Sequence, residues 1–459
     1  MHKIKYVYLF LFIFLAGCFS KNTQELFVID KEAEEILADT KVLRLDYAIE
    51  LAKKRNIDLQ IAHLKQEIAR IDKELAIGNL LPRVDLVAGI AKNNDALHLD
   101  LPTTLLGMSQ NIALPILDES YYAYSLNAQI PIFVPSFWFL VSARKKGEEI
   151  QSLLTSLSEK LVTLEVMNQY YYILALKSEE KIFENEVKAA EELVKQARIS
   201  LQTESILPWE YEEAKAYLLS KQVYYQQNLR EQKIALYKLN KSLFLPTDHF
   251  FELEKIPHTI NTLPTIQECF EQAYQANEKF KIRKKNLEVQ ADVRNIAISE
   301  FLPKIVLGGG ILGFNQDLIV EKNTLYGSVL GLLSVFNGFK TVNEYRKALR
   351  QEKIAEYELV SEYQSLFIEL TNAYNRANTA QEVYALSKTN LLAAKGKIQQ
   401  KKAELKHEVI DFREYYTALK EYHEAISFYE KSYYQYQLAC GALAIIIGKN
   451  PYEWNTNEK

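Results

Sequence analysis

Ala52-Lys-Lys-Arg-Asn-Ile-Asp-Leu59 and Ala273-Tyr-Gln-Ala-Asn-Glu-Lys-Phe280 stand 221 residues apart in this 459-residue chain. They place an Ala, an Asn and a large apolar residue at the same three positions. Leu81-Pro82 and Leu302-Pro303 keep that spacing with no gap between. Each copy reads as a long polar–apolar periodic run, a Leu-Pro stop and a short alternating run. A second register follows at spacing 203, where Ile130-Pro-Ile-Phe133 matches Leu333-Ser-Val-Phe336, so the first copy carries 18 extra residues between its two alternating runs. Self-similarity on this scale marks a tandem or pseudo-symmetric fold. Two coiled-coil halves alike only in composition would not share the Leu-Pro stops and the strand-like flanks.

Between Ser136 and Leu207, Trp209 and Leu245, and Lys304 and Asn450 there is no proline. Such runs, rich in Leu, Ala, Glu, Lys and Gln, predict long helices at about 45–81, 137–200, 209–244, 265–301, 339–400 and 408–447. At ~1.5 Å per residue the second spans roughly 95 Å, and 45–81 and 209–244 roughly 55 Å each. Two short helices end to end therefore match one long helix, and each copy reads as one continuous and one broken strut. Helices of this length must pack along one another to bury a face.

The alternating runs lie between these helices. Tyr122, Tyr124, Leu126, Ala128 and Ile130 fall on one face of a strand, and Ala123, Ser125, Asn127 and Gln129 on the other. The expected strands are 84–92, 121–131, 305–316 and 325–335, with Lys92–Tyr121 as a loop. Seven of the 15 glycines lie between Gly308 and Gly338, where they let strands bend or approach closely. Runs of about 9–11 residues suit tilted strands crossing a bilayer. Four strands cannot close a barrel, and open edges are not tolerated in lipid, so a spanning chain must oligomerise. Three copies would supply 12 strands and 12 helical struts. The fold class expected is mainly α with a small β part: two tandem repeats of long antiparallel helices plus β-hairpins.

The first residues read as an export signal. Lys3 and Lys5 precede an apolar run from Tyr6 to Ala16, too short to span a bilayer as a helix. Leu15-Ala-Gly-Cys18 resembles a bacterial lipobox, which implies a signal peptide over 1–17 and lipid on Cys18. Acyl chains anchor a protein without carrying it across the membrane. Removing the signal leaves 53 basic against 59 acidic residues, a net charge of −6. That balance carries no electrostatic footprint for nucleic acid. Cys269 and Cys440 are the remaining cysteines, too few for a disulfide framework, and are expected as two separate thiols.

Over about 43–448 the sequence resembles the TolC family of outer-membrane efflux and secretion channels. The residues that carry the resemblance are Leu45-Asp-Tyr-Ala-Ile-Glu-Leu-Ala-Lys-Lys-Arg-Asn56, the Leu-Leu-Pro82 stop, Leu332-Leu-Ser-Val-Phe-Asn-Gly-Phe339 and Ala442-Leu-Ala-Ile-Ile-Ile-Gly448. Their order and doubling make the match specific. The resemblance implies a homotrimer with a 12-stranded outer-membrane β-barrel on a 12-helix periplasmic α-barrel. Repeat 1 would cover 45–244 and repeat 2 265–448. An equatorial collar would come from 18–44, the linker 245–264 and the segment 449–459. The implied partners are a periplasmic adaptor and an inner-membrane pump of the RND or ABC class. The rival reading is a lipid-anchored periplasmic coiled-coil spacer without a pore.

No catalytic constellation is present. His2, His63, His98, His249, His258, His407 and His423 form no His-Glu-x-x-His pattern, and there is no Cys-x-x-Cys. Gly308-Gly-Gly310 lacks the ending of a phosphate loop, and there is no Gly-x-Ser-x-Gly elbow. No enzyme activity, cofactor or metal is expected. Two helix-to-helix turns remain, Leu201–Pro208 and Gln400–His407. Pro208 suits the first turn of a new helix, with Ser205 or Thr203 as its cap. The resemblance makes these turns the adaptor-docking tips, carried by Glu204, Ser205, Pro208, Glu404 and His407. Glu204 stands where the family tip usually has Gly. The family's acidic gate pair maps onto Asp411 and Glu414; alignment backward from Gly448 selects Glu414 and Thr417 instead, so Glu414 is common to both. Carboxylates gathered on a threefold axis would repel one another and attract cations.

Overall fold

A computed structural model describes residues 42–456, except 93, 96, 106–107, 118–119, 247, 261, 315–322, 408–409 and 411. The signal peptide, Cys18 and the first collar segment up to residue 41 lie outside the described residues, as does Asp411. The chain is mainly helical with a small sheet part. Among the described residues no helix is long and apolar enough to cross a membrane.

The helices are α1 (Leu45–Arg55), α2 (Ile57–Gly78), α3 (Pro135–Gln202), α4 (Pro208–Ser242), α5 (Ile266–Ala276), α6 (Glu278–Ser299), α7 (Lys340–Lys406), α8 (Phe412–Ile446) and α9 (Pro451–Thr456). The strands are β1 (Val42–Leu43), β2 (Arg83–Lys92), β3 (Leu97–Leu105), β4 (Met108–Leu117), β5 (Ser120–Phe133), β6 (Glu252–Leu253), β7 (Lys304–Phe314) and β8 (Asn323–Leu332). Contacts divide the chain into two units. One runs up to Ile57 and takes in Val162–Ile260 and Ala380–Leu438; the other comprises Asp58–Leu161, Asn261–Thr379 and Ala439–Lys459.

The helix expected over 45–81 is two helices, and so is that over 265–301. Asn56 (φ −59°, ψ 126°) and Asn277 (φ −57°, ψ 123°) leave the helical region while their N–H groups still bond Ala52 O and Ala273 O, each at 2.9 Å. Asn277 also caps the next helix, its Oδ1 accepting the Phe280 N–H at 2.9 Å. Upstream, α5 opens on a capping box: Thr265 Oγ1 accepts the Glu268 N–H, and the Glu268 carboxylate accepts the Thr265 N–H. Asp46 in the first turn of α1 and Lys53, Lys54 and Arg55 in the last complement its dipole. The long helices run close to expectation. α7 continues past 400 because Gln400 and Lys401 both bond Glu404 within that turn, and α8 opens at Phe412 rather than 408.

In the first unit, β1 and β6 pair in parallel. Tyr170, fully buried on α3, sets its hydroxyl 2.8 Å from the carbonyls of both Leu43 and Glu254 and so ties the pair to the helix. Burial pushes the Tyr170 phenol well above its usual range, so it stays a donor. Met167, Leu239, Leu243 and Tyr436 share this unit's buried core, and Leu59, Leu370, Leu443 and Ile447 belong to that of the second. Cys269 and Cys440 are buried in the second unit. Burial raises the Cys269 thiol above its ordinary value.

The second unit holds a four-stranded antiparallel sheet in the order β2-β5-β7-β8. The register of β5 shifts at Pro131, which cannot donate to a ladder; β2 has already ended opposite Gln129. β8 stops at Leu332, three residues short of expectation, and Val335 and Phe336 beyond it are exposed. The expected loop Lys92–Tyr121 contains a hairpin, β3–β4. Pro102 and Pro115 argue against strands within a sheet. In a two-stranded sheet every strand is an edge, where proline is tolerated.

Candidate functional site

The four-stranded sheet has two chemically different faces. One hydrogen-bonded row runs Leu86–Leu126–Ile311–Leu325, with exposures of 72, 42, 39 and 80%. The neighbouring row on the other face runs Asp85–Asn127–Gly310–Tyr326. Val84, Ile90, Leu307 and Val329 extend the apolar face; the other face continues with Ser125, Gln129, Thr324 and Ser328 but also carries Val87, Val306, Leu312, Leu330 and Leu332, and is mixed. Alternation along each strand produces this division, because successive side chains point to opposite faces.

Tyrosine lies over glycine on both faces. The Tyr124 ring occupies the space a Gly313 side chain would need and donates its hydroxyl to Asn323 Oδ1 at 2.5 Å. Tyr326 reaches across Gly310 and donates to Asn127 Oδ1 at 2.6 Å. The glycines thus admit cross-strand rings, the device known as aromatic rescue. The sequence shows the glycine cluster; which tyrosine covers which glycine depends on the register.

The helix turn between α3 and α4 lies in the first unit. Ser205 N–H bonds Ser200 O at 2.8 Å and Glu204 N–H bonds Leu201 O at 3.1 Å, the Schellman pattern that ends a helix on a left-handed residue. That residue is Glu204, at φ 54°. Glu204 thus takes the left-handed conformation that glycine favours, at a cost of about 1–2 kcal/mol. Thr203 and Ser205 do not cap α4. Thr203 Oγ1 turns back to Ser200 O at 3.1 Å and pairs with Ser205 Oγ at 3.0 Å. Both hydroxyls are engaged with the closing helix, so α4 starts differently. Leu207 precedes it, Pro208 takes the first position, and the Glu210 carboxylate accepts the Leu207 N–H at 2.6 Å. Leu207 and Trp209 stand exposed beside the turn.

Near the α7–α8 turn the structure joins two residues that the sequence reading assigned to different roles. Lys401 donates to Glu404 at 2.8 Å and to Glu414 at 3.1 Å. Hydrogen bonds from Lys401 and then Gln400 hold the Glu404 carboxyl below its usual range. The Glu414 side chain is 57% exposed. His407 is exposed, its N–H closing the helix on Ala403 O at 3.1 Å. Lys401 was missed by the sequence reading, although its spacing to Glu404 is that of a helical ion pair. Among the described residues no group of His, Cys, Asp and Glu could hold a metal ion.

No protein-family model matches the chain, and neither does any curated protein sequence. Solved structures do. The Campylobacter jejuni CmeC outer membrane channel is 16% identical with a TM-score of 0.69, covering 90% of this chain and 87% of its own. The Neisseria gonorrhoeae MtrE outer membrane channel, in its open state, is 17% identical with a TM-score of 0.69, covering 89% of each chain. The outer membrane protein VceC of Vibrio cholerae is 13% identical with a TM-score of 0.68, covering 88% of this chain and 96% of its own. At identities this low the likeness is one of fold, and it extends over nearly the whole described chain. The chain has the fold of the TolC-family outer-membrane channels.

Proposed function

We propose that the protein is a passive exit duct in the outer membrane, with no bond chemistry of its own. The observation that carries this reading is the sheet: one exposed apolar face, one mixed face that carries a polar row, and two open edges at β2 and β8. An apolar face suits lipid, and the polar row Asp85–Asn127–Tyr326 on the other face suits a water-filled lumen. Lipid does not tolerate the open edges, so β8 of one copy would pair with β2 of the next. With four strands per chain, three copies would close a barrel of 12. The helices need partners too. Ile61, Leu64, Ile68, Ile71 and Leu75 form a stripe on α2 spaced three and four residues apart, all 43–65% exposed. Such a heptad seam suits a neighbouring helix, here one from the next copy.

In this reading lipid on Cys18 anchors the chain, and the α3–α4 and α7–α8 turns dock a periplasmic adaptor that connects to an inner-membrane pump of the RND or ABC class. Asp411 and Glu414 would line the constriction, with Lys401 offsetting part of their charge. The duct would open by separation of the helices at that end, and the pump would supply the energy.

Detergent-extracted protein should be a trimer, and a small maleimide should label cysteines placed in 92–121 on whole cells. Monomers, or label reaching those positions only after the outer membrane is broken, would move the reading to the anchored spacer.

A further inference from the structure

The linker between α4 and α5, read above as part of the collar, makes a specific set of side-chain contacts. His258 lies on it, within the first unit. Its Nδ1 is 3.1 Å from the Tyr384 hydroxyl on α7, and its Nε2 is 3.1 Å from Glu430 Oε2 on α8. The ring stacks on Tyr433 with centroids 4.0 Å apart and planes 15° from parallel. Tyr433 donates to Pro257 O at 3.0 Å and accepts the Thr259 N–H at 3.1 Å, and Gln437 donates to Thr259 O at 3.1 Å. Three consecutive linker residues are therefore bound to α8, and His258 also reaches α7.

The polarity of the network is consistent. With the proton on Nε2, His258 donates to Glu430, Nδ1 accepts from Tyr384, and Tyr429 donates to the Tyr384 oxygen at 2.9 Å. Glu430 also accepts from Tyr434 at 3.0 Å. Burial alone would raise the Glu430 carboxyl, but its contacts with His258 and Tyr434 and the nearby Lys255 charge outweigh it and hold it low, so it remains an acceptor.

Nearer the turn, Lys397–Glu421 and Lys401–Glu414 are polar contacts between α7 and α8. Their side chains are between 25 and 57% exposed, and pairs of this kind contribute little. The linker crosses farther from the turn, where Tyr384 on α7 and Tyr429 on α8 also share a hydrogen bond.

We infer that Pro257–Thr259 is a strap across α7 and α8, and that His258, bridging Tyr384 to Glu430, limits how far the two helices separate when the duct opens. This rests on the duct reading and adds its regulation. His258 is a positioning residue, since it acts through the helices.

The test compares full-length wild type, His258→Phe and Glu430→Gln in planar bilayers, alongside trypsin cleavage after the exposed Lys255 in detergent. Phenylalanine keeps the stacking on Tyr433 and loses both polar contacts. His258→Phe should speed cleavage and raise open probability, each about tenfold, as expected for two lost hydrogen bonds. Glu430→Gln should shift both the same way by less. A conducting wild type whose open probability neither variant changes would overturn the strap and leave the duct standing. A wild type that never conducts would overturn both, through the duct reading.

Discussion

The breaks at Asn56 and Asn277 are the same joint built from different parts, one in each unit. In the first, Asn56 Nδ2 donates to the carbonyl of Ser242, the last residue of α4, at 2.9 Å. In the second, Asn277 Nδ2 donates to the carbonyl of Ile446, the last residue of α8, at 2.8 Å. Both long helices then end in the same turn. Leu245 N–H reaches Asn240 O and Lys449 N–H reaches Ala444 O, around a left-handed residue in each case. That residue is Phe244 (φ 53°) in the first joint and Gly448 (φ 79°) in the second.

The surroundings explain the difference. Phe244 is 47% exposed, with the Arg55 guanidinium 5.8 Å from its ring centroid. A side chain on Gly448 would meet Ala276, its Cβ at 2.5 Å and its backbone at 2.8 Å. The first turn holds a side chain in the left-handed conformation; close packing of α5 excludes one in the second. There a buried ion pair, Lys160 with Glu278, also backs the joint, and Lys160 donates to Gly448 O at 2.7 Å. The comparison shows that a left-handed turn alone does not demand glycine.

Substitutions can break this comparison, read by denaturant titration of helical circular dichroism in detergent. The largest effect belongs to Glu278→Ala, which leaves the Lys160 charge buried without its carboxylate partner. A loss of about 3–5 kcal/mol is expected, and a loss below 1 would show that water reaches the pair. Gly448→Ala comes next, at about 2–4 kcal/mol from the left-handed backbone and the collision with Ala276 together. Asn56→Ala and Asn277→Ala should cost about 1–2 kcal/mol each, from the lost bond to a helix-end carbonyl and, at Asn277, the lost cap of α6. Unequal losses, differing by more than that range, would mean the two joints are not equivalent. Phe244→Gly should change least, within about 0.5 kcal/mol, because relief of the backbone is offset by the lost packing and cation–π contact. A large loss there would show that the ring, and not the turn, holds the first joint.

Much of this architecture is legible in the letters. Proline-free, helix-forming runs bracket the four long helices, with Pro208 marking the start of α4, and period-two alternation locates the four strands of the sheet. The joints are hidden by their own design. Asn56 and Asn277 are visible as matched residues, but the helical period resumes at the next residue, so periodicity reads straight through them. The β3–β4 hairpin is masked by Pro102 and Pro115. At the α3–α4 turn Glu204, which the resemblance sets at a glycine position, takes the left-handed conformation that glycine favours, whereas the cap of α4 is misread because Thr203 and Ser205 face backward. The strap could not have been found from sequence. His258 is separated from Tyr384 and Glu430 by 126 and 172 residues, and only folding brings them together.

The most direct test of the account is single-channel recording of the purified full-length protein in a planar bilayer, with Glu414→Ala measured alongside. Discrete cation-selective openings, less selective in Glu414→Ala, are the predicted result. A verified folded oligomer that gives no openings would contradict the duct.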